Sequence, residues 1–242
     1  VKWGKVPSPP ASSGSSLLAA VAALAWDELA RSVEGRPIVA RRFGGAGAPV
    51  VLFGGIHGDE PASVEVVLDA IGRLEGELDA APPGPVVVIP ALNPDGIARG
   101  GKNSARDVDL NRNFPARSWS ATHAPGYFPG AAPLSEPETQ ALAKLVVDGE
   151  PVRGVVAVHA PFACVNYDGP AAAWAEAVAT ASGWPARAHI GYPTPGSLGS
   201  WLGVDRGLPV LTLELPPGPA TGFRARAAAA IDAALRWRSV DG

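Results

Sequence analysis

Short apolar runs alternate along this chain with longer stretches in which apolar residues recur at every third and fourth position. The short runs predict strands over Pro37–Arg42, Pro49–Phe53, Pro85–Pro90, Val152–Val158 and Pro209–Leu213. The longer stretches predict helices over Pro61–Glu75, Pro137–Val147, Ala171–Ser182 and Gly222–Trp237. Leu17–Trp26 reads as a further amphipathic helix, and His189 falls in a stretch that reads as strand. Strands alternating with helices imply an α/β domain on a mixed, mostly parallel twisted sheet covered by helices on both faces. Between Asn93 and Leu134 lie about forty residues rich in Gly, Asn, Arg and Pro with little periodicity, and so long an irregular segment in a compact domain is usually functional.

Ligands of open α/β sheets sit outside the carboxyl ends of the strands. Three apolar runs deliver polar residues there. Val50–Ile56 leads into His57-Gly58-Asp59-Glu60, Val155–Val158 into His159, and Leu211–Leu213 into Glu214. A catalytic zinc takes three nitrogen or oxygen ligands and keeps one position open. His57, Glu60 and His159 supply that set: a pair three residues apart in one loop, with Gly58 expected to permit a tight turn, and a third ligand from a remote strand. The bland reading makes Glu60 a first-turn carboxylate and His159 a hydrogen-bonded core residue. Glu214 ends a run that should be buried, where a carboxylate is costly unless paired or used. A general base is one use, and a salt bridge to Arg206 is the other reading.

Composition narrows the setting. The 242 residues carry 20 basic and 23 acidic side chains, a net charge of −3, which offers no basic footprint for nucleic acid. One cysteine, Cys164, makes no intrachain disulfide and reads as a buried small hydrophobe. The apolar Leu17–Trp26 stretch is about ten residues long, far short of the ~20 a bilayer span requires. Residues 1–15, dominated by Pro, Ser and Gly, read as a flexible segment, and residues 16–242 as a single catalytic domain.

Within the irregular stretch, Asp107-Val108-Asp109-Leu110-Asn111-Arg112-Asn113-Phe114 sets amides and charges around apolar anchors. An arginine beside an asparagine can grip a carboxylate by a fork plus an amide donor, so Asn111 and Arg112 are candidate ligand binders and Asp109 a structural acceptor. Asn93-Pro94-Asp95-Gly96 has turn chemistry of its own. Ser135 and Glu138 form the pattern of a capping box. Trp201 suits either a pocket wall or the core, and a metal role is not expected of His123 or His189.

The order His57-x-x-Glu60, Asn93-Pro94-Asp95-Gly96, Asp109–Phe114, His159 and Glu214 resembles the zinc carboxypeptidases of the carboxypeptidase A clan. Within the clan, Ser135–Leu142, Pro161–Cys164, Gly191-Tyr192, Thr194–Trp201 and Glu214-x-Pro216-Pro217 are similar to the bacterial murein peptide amidases. The likeness runs from about Arg31 to Arg238. It implies one zinc ion per chain on His57, Glu60 and His159, with Glu214 as base. It also implies a cytoplasmic role in peptidoglycan recycling, cleaving the γ-D-glutamyl to meso-diaminopimelate bond of small murein peptides. Asn111 and Arg112 would hold the leaving residue's carboxylate, and Tyr192 falls near the family's mobile tyrosine. Two departures stand out. Lys102 occupies the place of an arginine that polarises the scissile carbonyl, with Arg106 as the other candidate, and Ala160 stands where the amidases carry Asp after the histidine. The alternatives are a general zinc carboxypeptidase and an aspartoacylase-like acylase, the latter lacking the Tyr192–Trp201 run.

Overall fold

A run such as Val86-Val87-Val88-Ile89 has no polar face, so a strand made from it must be covered on both sides. That is how the protein is built in its computed structural model, which describes residues 11–76, 84–217 and 222–237. Eight strands form one sheet: β1 (Asp27–Arg31), β2 (Pro37–Phe43), β3 (Val50–Phe53), β4 (Val86–Ile89), β5 (Gly154–His159), β6 (Cys164–Asp168), β7 (Ala186–Arg187) and β8 (Val210–Glu214). Their order is β1-β2-β4-β3-β5-β8-β6-β7. The central strands β4, β3, β5 and β8 run parallel, whereas β2 joins β4, and β6 joins β8, antiparallel.

Helices α2 (Pro61–Gly76), α5 (Ala172–Ser182) and α6 (Phe223–Arg236) cover one face. There Val67, Ile71, Trp174, Val178 and Ile231 meet Val50, Leu52, Val86, Val88, Val156, Val158, Leu211 and Leu213. The alternate strand residues Val51, Phe53, Val87, Ile89, Val155 and Val210 face the other way, against Leu142 of α4 (Pro137–Ala143), Leu110, Phe114 and Trp201. The period of two in the strands therefore divides one apolar run between two cores. A third, smaller cluster joins α1 (Ala11–Ala23) to Val64 and to Ile97 of α3 (Pro94–Arg99). No helix among the described residues is long and apolar enough to cross a membrane.

Several local expectations change. α1 begins at Ala11, inside the stretch read as flexible, while residues 1–10 lie outside the described residues. The helix expected to run to Trp26 ends at Ala23, because Ala25 turns to φ +51 and Trp26 packs edge-on against Phe43, 5.7 Å between ring centroids. His189 follows β7 in irregular backbone rather than a strand. The capping box does not form. Asn113 donates to Ser135 Oγ at 3.0 Å and accepts the Glu136 amide at 3.3 Å, so the start of α4 is held from another segment. Glu138 is instead fully buried, with neither carboxylate oxygen in a well-formed hydrogen bond.

Candidate metal centre and substrate pocket

The parallel centre of the sheet brings the three polar strand ends to one edge. β3 lies beside β5 and β5 beside β8, and the last register pair of β5 and β8 is His159 opposite Glu214. After β3 the chain turns through His57-Gly58-Asp59-Glu60 and enters α2 at Pro61. Gly58 is needed there for a reason other than the tight turn expected of it. A Cβ on Gly58 would lie 2.0 Å from the backbone carbon of Gly96, so only glycine lets α3 approach this loop. Asn93 fixes that approach, its Oδ1 capping α3 at the Gly96 amide (2.8 Å) and its Nδ2 donating to the Ile56 carbonyl (3.2 Å). The neighbouring Asp95 is structural: it accepts from Ser32 Oγ at 2.7 Å and from Arg36 Nη1 at 2.7 Å.

His57, Glu60 and His159 converge, with ligand atoms within 4.8 Å of one another. Nδ1 of His57 lies 2.8 Å from Glu60 Oε1, and Nδ1 of His159 lies 3.3 Å from Glu60 Oε2. On its far side, Nε2 of His57 meets Asp109 Oδ1 at 3.2 Å. An Nε2–H held by a carboxylate leaves Nδ1, on the Glu60 side, as the nitrogen that can bind a metal, the usual way an outer carboxylate orients a ligating histidine. The charge balance points the same way. Burial pushes the His57 pKa down, but the carboxylates of Glu60 and Asp109 outweigh it and hold it up at about 10. Burial likewise opposes ionisation of Glu60, yet His57 and His159 bring its pKa down to about 2. The cluster thus favours a positive charge among its ligand atoms. Two imidazoles and a carboxylate so arranged fit a zinc ion.

Glu214 is 5 % exposed, and its Oε2 has no hydrogen-bond partner among the described residues. Burial pushes its pKa up to about 7, with His159 pulling against it. The Arg206 salt bridge does not form; that guanidinium lies over the Trp201 ring, 4.6 Å from its centroid. Trp201 itself is core, stacked on Phe114 at 5.5 Å. Cys164, opposite Glu214 on β6, is buried and its thiol pushed up to about 11 by that burial.

The Asp109–Asn113 segment supplies the rest. Asp109 N-caps the 3-10 turn Leu110–Arg112, accepting the Asn111 amide at 3.0 Å, and takes 2.6 Å contact from Lys102 Nζ. Read from sequence as a structural acceptor, Asp109 also touches His57, a contact across 52 residues that nothing local signals. Asn111 Oδ1 accepts the Leu198 amide at 3.0 Å, and Gly196, with φ +69, comes so close that a Cβ would lie 2.3 Å from the Arg112 carbonyl. The Thr194–Trp201 run is thereby seen to buttress Asn111 and Arg112. Arg106 turns to the Ser135 carbonyl (3.3 Å) and Glu136 (3.8 Å), so Lys102 is the cation that shares a partner with His57.

Beside these groups opens a cavity of about 750 Å³, lined by Arg112, His123, Tyr127, Phe162, Ile190 and Tyr192 among others, with no carboxylate among the described residues of its lining. Tyr192 is 39 % exposed; burial pushes its pKa up to about 12, with the Arg112 charge pulling against that rise, so its hydroxyl stays protonated. Tyr127 has no signal in the sequence, and Phe162 enters there only within the Pro161–Cys164 run; both lie in irregular segments whose neighbours carry no periodic signal.

Residues 23–172 match the zinc carboxypeptidase family. The chain is 35 % identical over 203 residues to murein peptide amidase A of Escherichia coli (strain K12), covering 79 % of this chain and 81 % of that protein. Its fold superposes on the crystal structure of a murein-tripeptide amidase from Escherichia coli O157 with a TM-score of 0.68 at 30 % identity, covering 88 % of this chain and 92 % of the other. It is also similar in fold to carboxypeptidase A from Helicoverpa armigera, with a TM-score of 0.69 at 19 % identity over 86 % of this chain and 66 % of that one.

Proposed function

The chain belongs to the zinc carboxypeptidase family, and from that premise we propose that it is a zinc-dependent amidase acting on murein peptides. The bond it cleaves is γ-D-glutamyl to meso-diaminopimelate, and the setting is cytoplasmic recycling of peptidoglycan. The observation that carries this reading is a desolvated carboxylate, Glu214, held in register beside a His57-Glu60-His159 donor set at the edge of a pocket. A zinc ion on those three residues would supply Lewis-acid chemistry, making water acidic near neutral pH and polarising the carbonyl.

The protein's own groups do the rest. Asn111 and Arg112 hold the free carboxylate of the leaving residue, with Tyr192 closing over it as a neutral donor. Glu214, with a pKa near neutrality, takes a proton from the attacking water as the oxygen adds to the carbonyl carbon. Lys102 stabilises the oxyanion that forms. The C–N bond then breaks, and Glu214 returns its proton to the departing amine. Asp109 holds His57 and Lys102 in place throughout.

A second reading, a carboxypeptidase releasing large apolar residues, is favoured by one feature: the described residues of the pocket lining carry no carboxylate for the distal amine of diaminopimelate. Purified protein incubated with murein tripeptide and with a panel of blocked dipeptides separates the two. Chelator-sensitive release of diaminopimelate is expected. Release of ordinary C-terminal residues with the tripeptide left intact would overturn the amidase reading in favour of the second.

A further inference from the structure

Two cations lie on one aromatic ring, that of Tyr127, which lines the pocket. Lys102 Nζ is 3.8 Å from the centroid of Tyr127, and the Arg112 guanidinium carbon is 5.2 Å from it. The ring is held where it is by backbone. The Asp109 amide donates to the Phe128 carbonyl at 2.8 Å, which ties Tyr127's loop to the carboxylate that also holds Lys102 and His57. The Gly126 carbonyl adds a 3.4 Å contact to Lys102 Nζ. Like charges brought together repel, and Asp109 neutralises only one of them. The negative face of an aromatic ring compensates part of the rest.

We propose that Tyr127 is a positioning residue that orders Lys102 and Arg112 before substrate arrives, and a wall of the side-chain pocket. The in-plane donors of a guanidinium are not consumed by a ring's face, so Arg112 can be held by Tyr127 and still present a fork to a carboxylate. Of its donors, Nη1 is given to the Asn111 carbonyl (2.6 Å). The ring therefore fixes the arm while leaving binding capacity free. Without it, Arg112 would have to be ordered at the moment of binding, whereas Lys102 would keep its carboxylate anchor on Asp109.

The kinetic half of this rests on Arg112 being the substrate carboxylate's partner; the structural half does not. The chain's lysines are Lys2, Lys5, Lys102 and Lys144, few enough for lysine ε-methylene NMR of the whole protein, with Lys102→Arg assigning its signal by deletion. The Lys102 signal should be shifted upfield by the ring current, keep that shift in Tyr127→Phe and lose it in Tyr127→Leu. On murein tripeptide, Tyr127→Leu should raise KM roughly two- to tenfold, the cost of ordering one long side chain, with a smaller change in kcat. Tyr127→Phe should restore KM, because the face and not the hydroxyl acts. An unshifted Lys102 signal in the wild type, or one indifferent to Tyr127→Leu, overturns the proposal whether or not the tripeptide is cleaved. So does a Tyr127→Phe variant as impaired as Tyr127→Leu. If the NMR shifts follow expectation but the tripeptide is untouched, Tyr127 stands as the organiser of the two cations and the substrate assignment fails instead.

Discussion

Replacing Glu214 with Gln separates what this carboxylate does for catalysis from what it costs the fold. Burial raises its pKa from an ordinary 4.5 to about 7 in the metal-free protein. At ~1.4 kcal/mol per unit, that shift corresponds to a penalty on the order of 3 kcal/mol for holding the charge inside. The folded state binds the proton more tightly than the unfolded chain. The stability this confers is full below about pH 4.5 and is lost as pH rises through about 7, above which the whole penalty is carried. Gln keeps the shape without the charge. In chelator-treated protein, urea denaturation should show Glu214→Gln gaining on the wild type between about pH 5 and pH 8 by roughly 2–3 kcal/mol, fixed packing differences cancelling in the comparison. With zinc restored, the same variant should bind metal normally yet turn over murein tripeptide ~10²- to 10⁴-fold more slowly, the usual contribution of a positioned base. A stability difference that does not move with pH would refute the desolvation reasoning. Turnover within about threefold of wild type, far short of a base's contribution, would refute the catalytic role.

Other outcomes follow from the same geometry. His159→Ala removes one of the three converging ligands and should lose most bound zinc by elemental analysis; wild-type stoichiometry would remove it from the metal site. Lys102→Ala should lower kcat by ~10²-fold with little change in KM, while Arg106→Ala, whose side chain is engaged with Ser135 and Glu136, stays near wild type. Equal silence of the two variants in parallel kinetics would exclude a second cation from this loop. Glu138 lies outside the site, and burial, reinforced by Glu136 and Asp95, pushes its pKa up to about 7. Glu138→Gln should therefore gain stability on the wild type by roughly 2–3 kcal/mol from about pH 5 to pH 8 with activity unchanged, and a pH-independent difference in denaturation midpoints would count against it.

Much of the framework was legible because its causes are local. The valine-rich runs and the three- and four-residue spacings place β2 to β5, β8, α2, α5 and α6 within a residue or two, since strand and helix periods are written in neighbouring positions, whereas the helix expected over Pro137–Val147 is α-helical only to Ala143 and continues as a π-helix over Lys144–Asp148. Three strands have weak local signals: β1 is Asp-Glu-Leu-Ala-Arg on the sheet's edge, β6 is Cys-Val-Asn-Tyr-Asp, and β7 is two residues long. All three are strands because a neighbouring strand offers them hydrogen bonds. The candidate ligands were readable for a related reason: a polar residue directly after an apolar run stands at a strand's carboxyl end, and three such ends in a parallel sheet share an edge.

What the sequence alone determined, then, is the central strands, most of the covering helices and the residue types at their ends. Tertiary structure decided which of those residues meet. Asp109 looks like a loop acceptor until the fold sets it against His57 and Lys102, and Ser135 and Glu138 look like a capping box until Asn113 takes Ser135 and α4 buries Glu138. Tyr127 has no local signature, because its role depends on two cations that approach it from Lys102 and Arg112. Periodicity is set by backbone geometry within one element and survives without the fold. Hydrogen bonds, ion pairs and cation–π contacts act over a few ångströms between segments tens of residues apart, and exist only once the sheet has brought those segments together.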